Sequence, residues 1–77
     1  MDIESFVENF GGQFDDTDVS SLTPDTRFRE IPEWSSLTAL SIIAMIDEEY
    51  GVALKGDDVR LANTIKDLFD VVQSRKD

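Results

Sequence analysis

Two adjacent serines, Ser35 and Ser36, carry the hydroxyls best placed for chemistry in this chain of 77 residues. They stand at the start of its longest helical pattern, which runs from Glu33 to Gly51. The first residues of a helix lie beside unpaired backbone N–H groups, at the positive end of the helix dipole. This setting suits a hydroxyl that carries a phosphate, and serine is also a common N-cap. The pattern is therefore compatible with a structural cap and with an attachment point.

Other reactive groups are scarce. The chain contains no Cys and no His, which removes thiol nucleophiles, thiolate zinc sites and histidine acid–base chemistry. The carboxylates from Asp47 to Glu49 fall at a helix end, without the burial that tunes catalytic pKa values. The acidic run from Asp15 to Asp18 does not fit a calcium EF-hand, because Ser21 and Arg27 stand where Gly and Glu are needed. We therefore predict no metal site and no catalysis.

The charge balance indicates the kind of partner. Seventeen acidic and seven basic residues give a net charge of -10, and the isoelectric point is near 4.1. Binding to a phosphate backbone or an anionic membrane needs basic residues, so a basic protein surface is the expected partner. The sequence contains no apolar stretch of membrane-spanning length. We expect a cytoplasmic monomer that binds no nucleic acid and does not insert into membranes.

The first helix is predicted from apolar residues at helical spacing. Ile3, Phe6, Val7 and Phe10 share one face, behind Asp2 as a plausible N-cap. Phe14 continues the stripe at i+4 from Phe10, and we predict the longer helix despite the intervening pair Gly11-Gly12. Residues 15–34 then form a long connection that contains two prolines. Its scattered apolar anchors indicate an ordered loop, and they are Val19, Leu22, Phe28 and Ile31.

The remaining helices follow from the same spacing argument. The central helix has a predicted apolar stripe of Leu37, Leu40, Ile43, Ala44, Ile46 and Tyr50. A short helical turn is predicted from Gly56, carrying Val59. A last helix begins at Asn63 or Thr64, with a stripe of Ile65, Leu68, Phe69 and Val72. We predict one all-α domain over residues 1–77, a small bundle of three main helices and one short helix, frayed from about residue 75.

These features resemble the acyl carrier proteins and related phosphopantetheine carrier domains over essentially the whole chain. The resemblance rests on the anchor T-R-F-R-E-I in a long loop, a Ser-Leu pair at the start of a helix, and the later segments A-M-I-D-E-E-Y-G, D-D-V-R and N-T-I-K-D-L. In that family the serine of an Asp-Ser-Leu motif accepts 4′-phosphopantetheine from coenzyme A. The resemblance implies attachment at Ser36, with Ser35 as a minor alternative, and thioester-linked acyl groups on the arm.

The chain departs from the family motif near that serine. Ser35 replaces the aspartate, Trp34 replaces a small residue, and Thr38 and Ser41 are neutral where acidic residues are frequent. Ser35 keeps an N-cap oxygen and loses the charge. The neutral first half of the helix suggests partner enzymes different from those of a general fatty-acid carrier. The loss of the aspartate at Ser35 supports the alternative hypothesis of an unmodified acidic interaction module with a carrier-like fold.

The resemblance also implies two sets of partner-facing and cargo-facing residues. A phosphopantetheinyl transferase and acyl-transferring or synthase enzymes with basic docking surfaces would contact Glu30, Glu33, Trp34, Leu37, Asp47, Glu48 and Glu49. An acyl chain between the second and third helices would be lined by Leu40, Ile46, Val59, Ala62 and Leu68. Trp34 has a further interpretation, as a hydrophobic staple against Ala39 that fixes the approach of the loop to the helix.

Overall fold

The computed structural model describes residues 2–76 and contains four α-helices within that range. They are α1 (Ile3–Gly11), α2 (Ser36–Tyr50), α3 (Gly56–Leu61) and α4 (Ile65–Arg75). Two short 3₁₀ segments, Val19–Ser21 and Phe28–Glu30, interrupt the long connection between α1 and α2. Between residues 2 and 76 the structure has no β-strand, only an isolated bridge between Arg27 and Thr64. The predicted all-α architecture is confirmed.

Helix α1 begins as predicted and ends earlier. The Asp2 side chain accepts a hydrogen bond from the Glu4 N–H at 3.3 Å. The helix stops at Gly11, so the predicted continuation to Phe14 is wrong. A Cβ on Gly11 would lie 2.8 Å from Val19 Cγ2, which explains why glycine stands where the returning loop crosses. Phe14 is nevertheless buried, because the turn after the helix directs it back to the core.

The long connection is ordered by contacts at several points along its length. Three of the four predicted anchors, Leu22, Phe28 and Ile31, are buried in the core, and Val19 is half-buried. The backbone N–H of Ile65 donates to the Thr26 carbonyl at 3.1 Å, joining the loop to the start of α4. These contacts hold the residues that precede α2 against the rest of the bundle.

Helix α2 matches the predicted stripe only in part, because Ile46 is buried as predicted while Ala44 is exposed. Its buried residues are Ile42, Met45 and Ile46. Leu37 and Leu40 are 76% and 62% exposed, which corrects the predicted stripe and the assignment of Leu40 to the core. Each helical residue turns about 100°, so Leu40 lies nearly opposite Ile42 once Ile42 faces inward. The first turns of α2 therefore present leucine to solvent.

Helix α4 packs as its spacing predicts. Thr64 is the N-cap, and its Oγ1 accepts from the Asp67 N–H at 3.1 Å in a capping box. All four predicted stripe residues are buried, namely Ile65, Leu68, Phe69 and Val72. The sequence predicts fraying from about residue 75. Arg75 is instead held in place, because its guanidinium donates to both Asp58 carboxylate oxygens, at 2.6 and 2.8 Å. Asp77 lies outside the described residues.

Candidate functional site

Ser35 caps helix α2. Its backbone is extended, with φ -158° and ψ 175°, and its Oγ accepts from the Thr38 N–H at 3.3 Å. The Thr38 hydroxyl lies 3.1 Å from the same oxygen and donates to the Glu33 carbonyl at 3.0 Å. The prediction that Ser35 closes the helix end is therefore confirmed. Its hydroxyl is committed to the local structure.

Ser36 occupies the first helical position and is exposed. Within residues 2–76 its hydroxyl has no hydrogen-bond partner, in contrast to that of Ser35. The backbone N–H groups of the first turn lie beside it, where the helix dipole favours a phosphate. An accessible hydroxyl in this environment fits the covalent attachment of a phosphorylated group.

A groove of about 470 Å³ opens beside the two serines, between α2 and α3. Its apolar lining consists of Trp34, Ala39, Leu40, Ile43 and Val59. Ser35 and Ser36 lie at the same groove, and so do Arg29, Gly56 and Arg60. A flexible group attached to either serine would thus start at the edge of an apolar surface.

The structure places the predicted acyl-pocket residues in two environments, the groove and the packed core. Leu40 and Val59 line the groove. Ile46 and Leu68 have no solvent exposure and belong to the packed core, together with the buried Ala62. The groove instead gains Ala39 and Ile43, which the predicted set does not contain.

Trp34 is half-buried and fixes the approach of the loop to α2. Its ring centroid lies 4.8 Å from that of Phe28 and 6.5 Å from that of Phe14. The predicted staple partner, Ala39, is also half-buried and lies with Trp34 along the groove. Trp34 therefore takes part in the core and leaves one part of its surface at the site.

Glu33 has a structural role that the sequence did not indicate. One carboxylate oxygen accepts from the Thr17 hydroxyl at 2.6 Å and the Asp16 N–H at 2.9 Å, and the other accepts from the Asp15 N–H at 3.1 Å. The hydrogen bond from Thr17 is the largest of the causes that lower the Glu33 pKa. Both oxygens are thus engaged within the chain, and Glu33 ties the start of the long loop to its end.

The other predicted recognition residues lie in two places. Leu37 and Glu30 are exposed near the N-terminal end of α2 and in the loop before it. Asp47, Glu48 and Glu49 are exposed near the other end of the helix. At 1.5 Å per residue these carboxylates are roughly 16–20 Å along the axis from Ser36. The structure therefore separates the apolar and acidic surfaces that a partner could contact.

Arg29 is a site residue that the sequence analysis missed. Its guanidinium donates to the Val59 carbonyl at 3.1 Å, the Ala62 carbonyl at 2.6 Å and the Asn63 Oδ1 at 2.8 Å. These bonds attach the end of α3 to the loop that precedes α2. The partners are 30 to 34 residues away in the chain, so no local sequence signal marks them.

Two features are absent from the part of the chain that the structure describes. Among residues 2–76, no group of three or more His, Cys, Asp or Glu side chains is arranged to hold a metal ion. Over the same residues, no helix is both long enough and apolar enough to cross a membrane.

Over residues 2–76 the fold and the site define a small helical domain, with an exposed serine hydroxyl at the start of its second helix. The family model described as the phosphopantetheine attachment site matches residues 10–72. The chain belongs to this family. Its domains are sites of covalent 4′-phosphopantetheine attachment, and they carry substrates for enzymes rather than acting as catalysts. In general they interact with transferases and synthases.

Proposed function

We propose that this chain carries acyl groups as thioesters on 4′-phosphopantetheine attached to Ser36. The supporting observation is the division between the two serines, because Ser35 caps α2 while the Ser36 hydroxyl stays exposed and free. In the attachment reaction, Ser36 Oγ forms a bond to the phosphorus of the phosphopantetheine phosphate. The diphosphate bond of coenzyme A breaks, adenosine 3′,5′-bisphosphate leaves, and a base of the transferase takes the hydroxyl proton.

The arm supplies what the chain lacks, a thiol that forms thioesters, since the sequence contains no Cys. The residues of the chain have the tasks of binding and orientation. Ser35 holds the first turn of α2, whose N–H groups would favour a phosphate on Ser36. Trp34 and Leu40 line the groove next to Ser36 and would offer an apolar surface to the arm.

Partner enzymes would contact two surfaces of α2. The exposed Leu37 provides an apolar contact beside Ser36, and the carboxylates from Asp47 to Glu49 attract basic docking surfaces. Glu30 adds to this charge from the loop. Glu33 contributes less to recognition than its sequence position indicates, because its carboxylate is bound by Thr17 and two backbone N–H groups.

The pathway we propose is a specialised acyl transfer, in fatty-acid, polyketide-like or related synthesis. The support is the neutral first half of α2, where Thr38 and Ser41 stand in place of charged residues. We also propose that the chain acts as a monomer in the cytoplasm, where coenzyme A is available for the attachment.

Intact-mass spectrometry tests the proposal. The purified chain is incubated with coenzyme A and each of several phosphopantetheinyl transferases, and a mass gain of one phosphopantetheine is expected. Ser36→Ala should abolish the gain. Ser35→Ala is the matched control and should reach the same final gain, although more slowly, since that hydroxyl acts as a cap. No gain with any transferase would contradict the proposal, and loss in Ser35→Ala alone would move the attachment to Ser35.

The alternative function, an unmodified acidic interaction module, is favoured by one feature, the uncharged Ser35 before Ser36. It predicts that the chain isolated from its own cells has the mass of the bare polypeptide, even where transferase and coenzyme A are abundant. A native sample that carries the arm would exclude it.

The role of the distant acidic cluster is tested separately. Replacing Asp47, Glu48 and Glu49 with Lys should slow modification at low salt and matter less at high salt, because rim charges act mainly on the association rate. A variant with Glu4→Lys, Glu8→Lys and Asp25→Lys is the control for net charge, since it reverses the same number of exposed carboxylates outside α2. Equal rates for both variants and the wild type would show that docking depends on other residues.

A further inference from the structure

The groove beside Ser36 differs in charge from the rest of this acidic chain. Two of its lining residues are Arg29 and Arg60, and none is Asp or Glu. Seventeen acidic residues stand against seven basic ones in the sequence, so a groove of this composition is unusual for the molecule. Four other surface clefts each contain at least one carboxylate, for example Glu48 in one and Glu8 in another. The local charge of the groove is therefore opposite to that of the chain.

The charge of Arg29 is not neutralised by a carboxylate. Its three hydrogen bonds go to two backbone carbonyls and to the amide oxygen of Asn63. Within residues 2–76 the ion pairs are Arg60–Asp57, Lys66–Asp70 and Arg75–Asp58, and Arg29 takes part in none. The guanidinium also lies 5.1 Å from the centroid of the Phe28 ring. A fixed positive charge thus stands at the wall of the groove.

Arg60 supplies a second charge that can move. It pairs with Asp57, three residues earlier on α3, and the side chains of both partners are about three-quarters exposed. Exposed pairs of this kind contribute little to stability, so Arg60 can exchange Asp57 for another carboxylate at small cost. Arginine also offers two parallel N–H donors that match the two oxygens of a carboxylate.

We infer that the groove holds an acyl group that ends in a carboxylate, carried on the arm of Ser36, with Arg60 binding the carboxylate and Arg29 supplying a fixed positive charge. The inference rests on the proposed carrier function and names the class of its cargo. The apolar lining, with Ile43 and Val59 among its residues, accommodates the methylene carbons. Bound in this way, the cargo stabilises the folded chain, because it binds the native state alone.

The test compares two cargoes of equal carbon number. Amide-linked coenzyme A analogues carrying a succinyl or a butyryl group are loaded by a phosphopantetheinyl transferase, so that the acyl group cannot hydrolyse. The succinyl form should melt about 2–4 °C higher than the butyryl form at low salt, as expected for one partly exposed ion pair in a domain of this size. A neutral quencher should reduce the fluorescence of Trp34, the single tryptophan, less strongly in the succinyl form.

Arg60→Gln should remove the difference between the two cargoes. Arg27→Gln loses the same charge at a different cleft and is the matched control, in which the difference should persist. Equal melting temperatures for the two loaded wild-type forms, or a difference that survives Arg60→Gln, would overturn the inference. If Arg60 instead binds the phosphate of the arm, both cargoes will be stabilised equally, which also overturns it. Loading with unmodified coenzyme A is measured in parallel, and only its failure would overturn the carrier proposal.

Discussion

Helices α2 and α4 have similar beginnings and bury their apolar residues in different ways. Each starts after a hydroxyl N-cap, Ser35 for α2 and Thr64 for α4. Every apolar residue of the predicted α4 stripe is buried, whereas Leu37 and Leu40 of α2 are exposed. One face of helix α4 therefore packs into the core from Ile65 to Val72. In α2 only the middle of the helix packs into the core, and the first turns are exposed to contacts outside the chain.

The ends of the two helices differ as well. Arg75 in the last turn of α4 is paired with Asp58 on α3. The last turns of α2 contain Glu48 and Glu49 and no basic residue, and the Tyr50 carbonyl accepts from Lys76 Nζ at 3.2 Å. Carboxylates near a helix C-terminus oppose the helix dipole. The comparison teaches that α2 leaves apolar side chains exposed near its start and carboxylates exposed near its end, which is the pattern expected where a surface is kept for partners.

The largest expected difference between the helices is in stability. Leu68→Ala in α4 should lower the free energy of unfolding by about 2–5 kcal/mol, because it opens a cavity in a fully buried position. Leu40→Ala in α2 makes the same chemical change at an exposed position and should alter it by less than about 0.5 kcal/mol. Urea denaturation of the unmodified chain measures both. Similar losses for the two variants would mean that α2 packs through Leu40 after all.

The next expected difference is in recognition. Leu37→Ala should lower kcat/KM for phosphopantetheine transfer about tenfold, equivalent to about 1.4 kcal/mol, as for one apolar contact in an interface. Ile65→Val in α4 is the control, since it trims the core and leaves the surface of α2 unchanged. Transfer is followed by intact mass at a temperature where all variants are folded. An unchanged rate for Leu37→Ala would remove the functional interpretation of the exposed leucine.

Variants of the two N-caps, Ser35 and Thr64, distinguish an effect on the free energy of unfolding from an effect on the rate of phosphopantetheine transfer. Ser35→Ala and Thr64→Ala should each reduce the free energy of unfolding by about 1 kcal/mol, because each leaves a helix N–H without its side-chain acceptor. Only Ser35→Ala should also slow transfer, because it loosens the turn that presents Ser36. Denaturation and mass kinetics on the same samples give both quantities. If both variants slow transfer equally, the effect is one of general stability.

The smallest effect concerns the pair at the end of α4. The hydrogen bond from Arg75 lowers the pKa of Asp58 from 3.8 to about 2. A lowered pKa in the folded state means that the stabilisation is present above the unfolded value and is lost as pH falls through the folded one. Stability of the wild type should therefore decline more steeply between about pH 4 and pH 2 than that of Asp58→Asn. Parallel pH profiles of the two proteins would contradict this. Arg75→Gln should flatten the profile only in part, because the Lys55 N–H still donates to Asp58 Oδ2 at 2.9 Å.

The fold could be predicted because much of it depends on local signals. Helix α4 combines a cap, a capping-box carboxylate and one clean apolar face, so sequence spacing alone locates its buried side. Helix α2 has apolar residues on more than one side, with Leu40, Ile42 and Ile43 close together. Spacing cannot select the inward face of such a helix, since that choice depends on where the neighbouring helices pack.

The parts of the site that were missed depend on contacts between distant segments. Glu33 binds residues 16 to 18 positions earlier, and Arg29 binds residues 30 to 34 positions later. Both are charged residues in a loop, a type that single-sequence arguments assign to solvent. The position of Ser36 at the first turn could be predicted, because a cap and an adjacent hydroxyl are local features.

The three hydrogen bonds of Arg29 have a consequence for motion. Helix α3 is only six residues long and has a single buried residue, Val59. An isolated helix of this length is unstable in water, so its position depends on tertiary contacts such as those of Arg29 to the Val59 and Ala62 carbonyls. When those bonds break, α3 and the segment around Arg29 should open as one cooperative unit while α4 stays folded. The width of the groove beside Ser36 would then fluctuate with a single side chain that belongs to neither helix α2 nor helix α3.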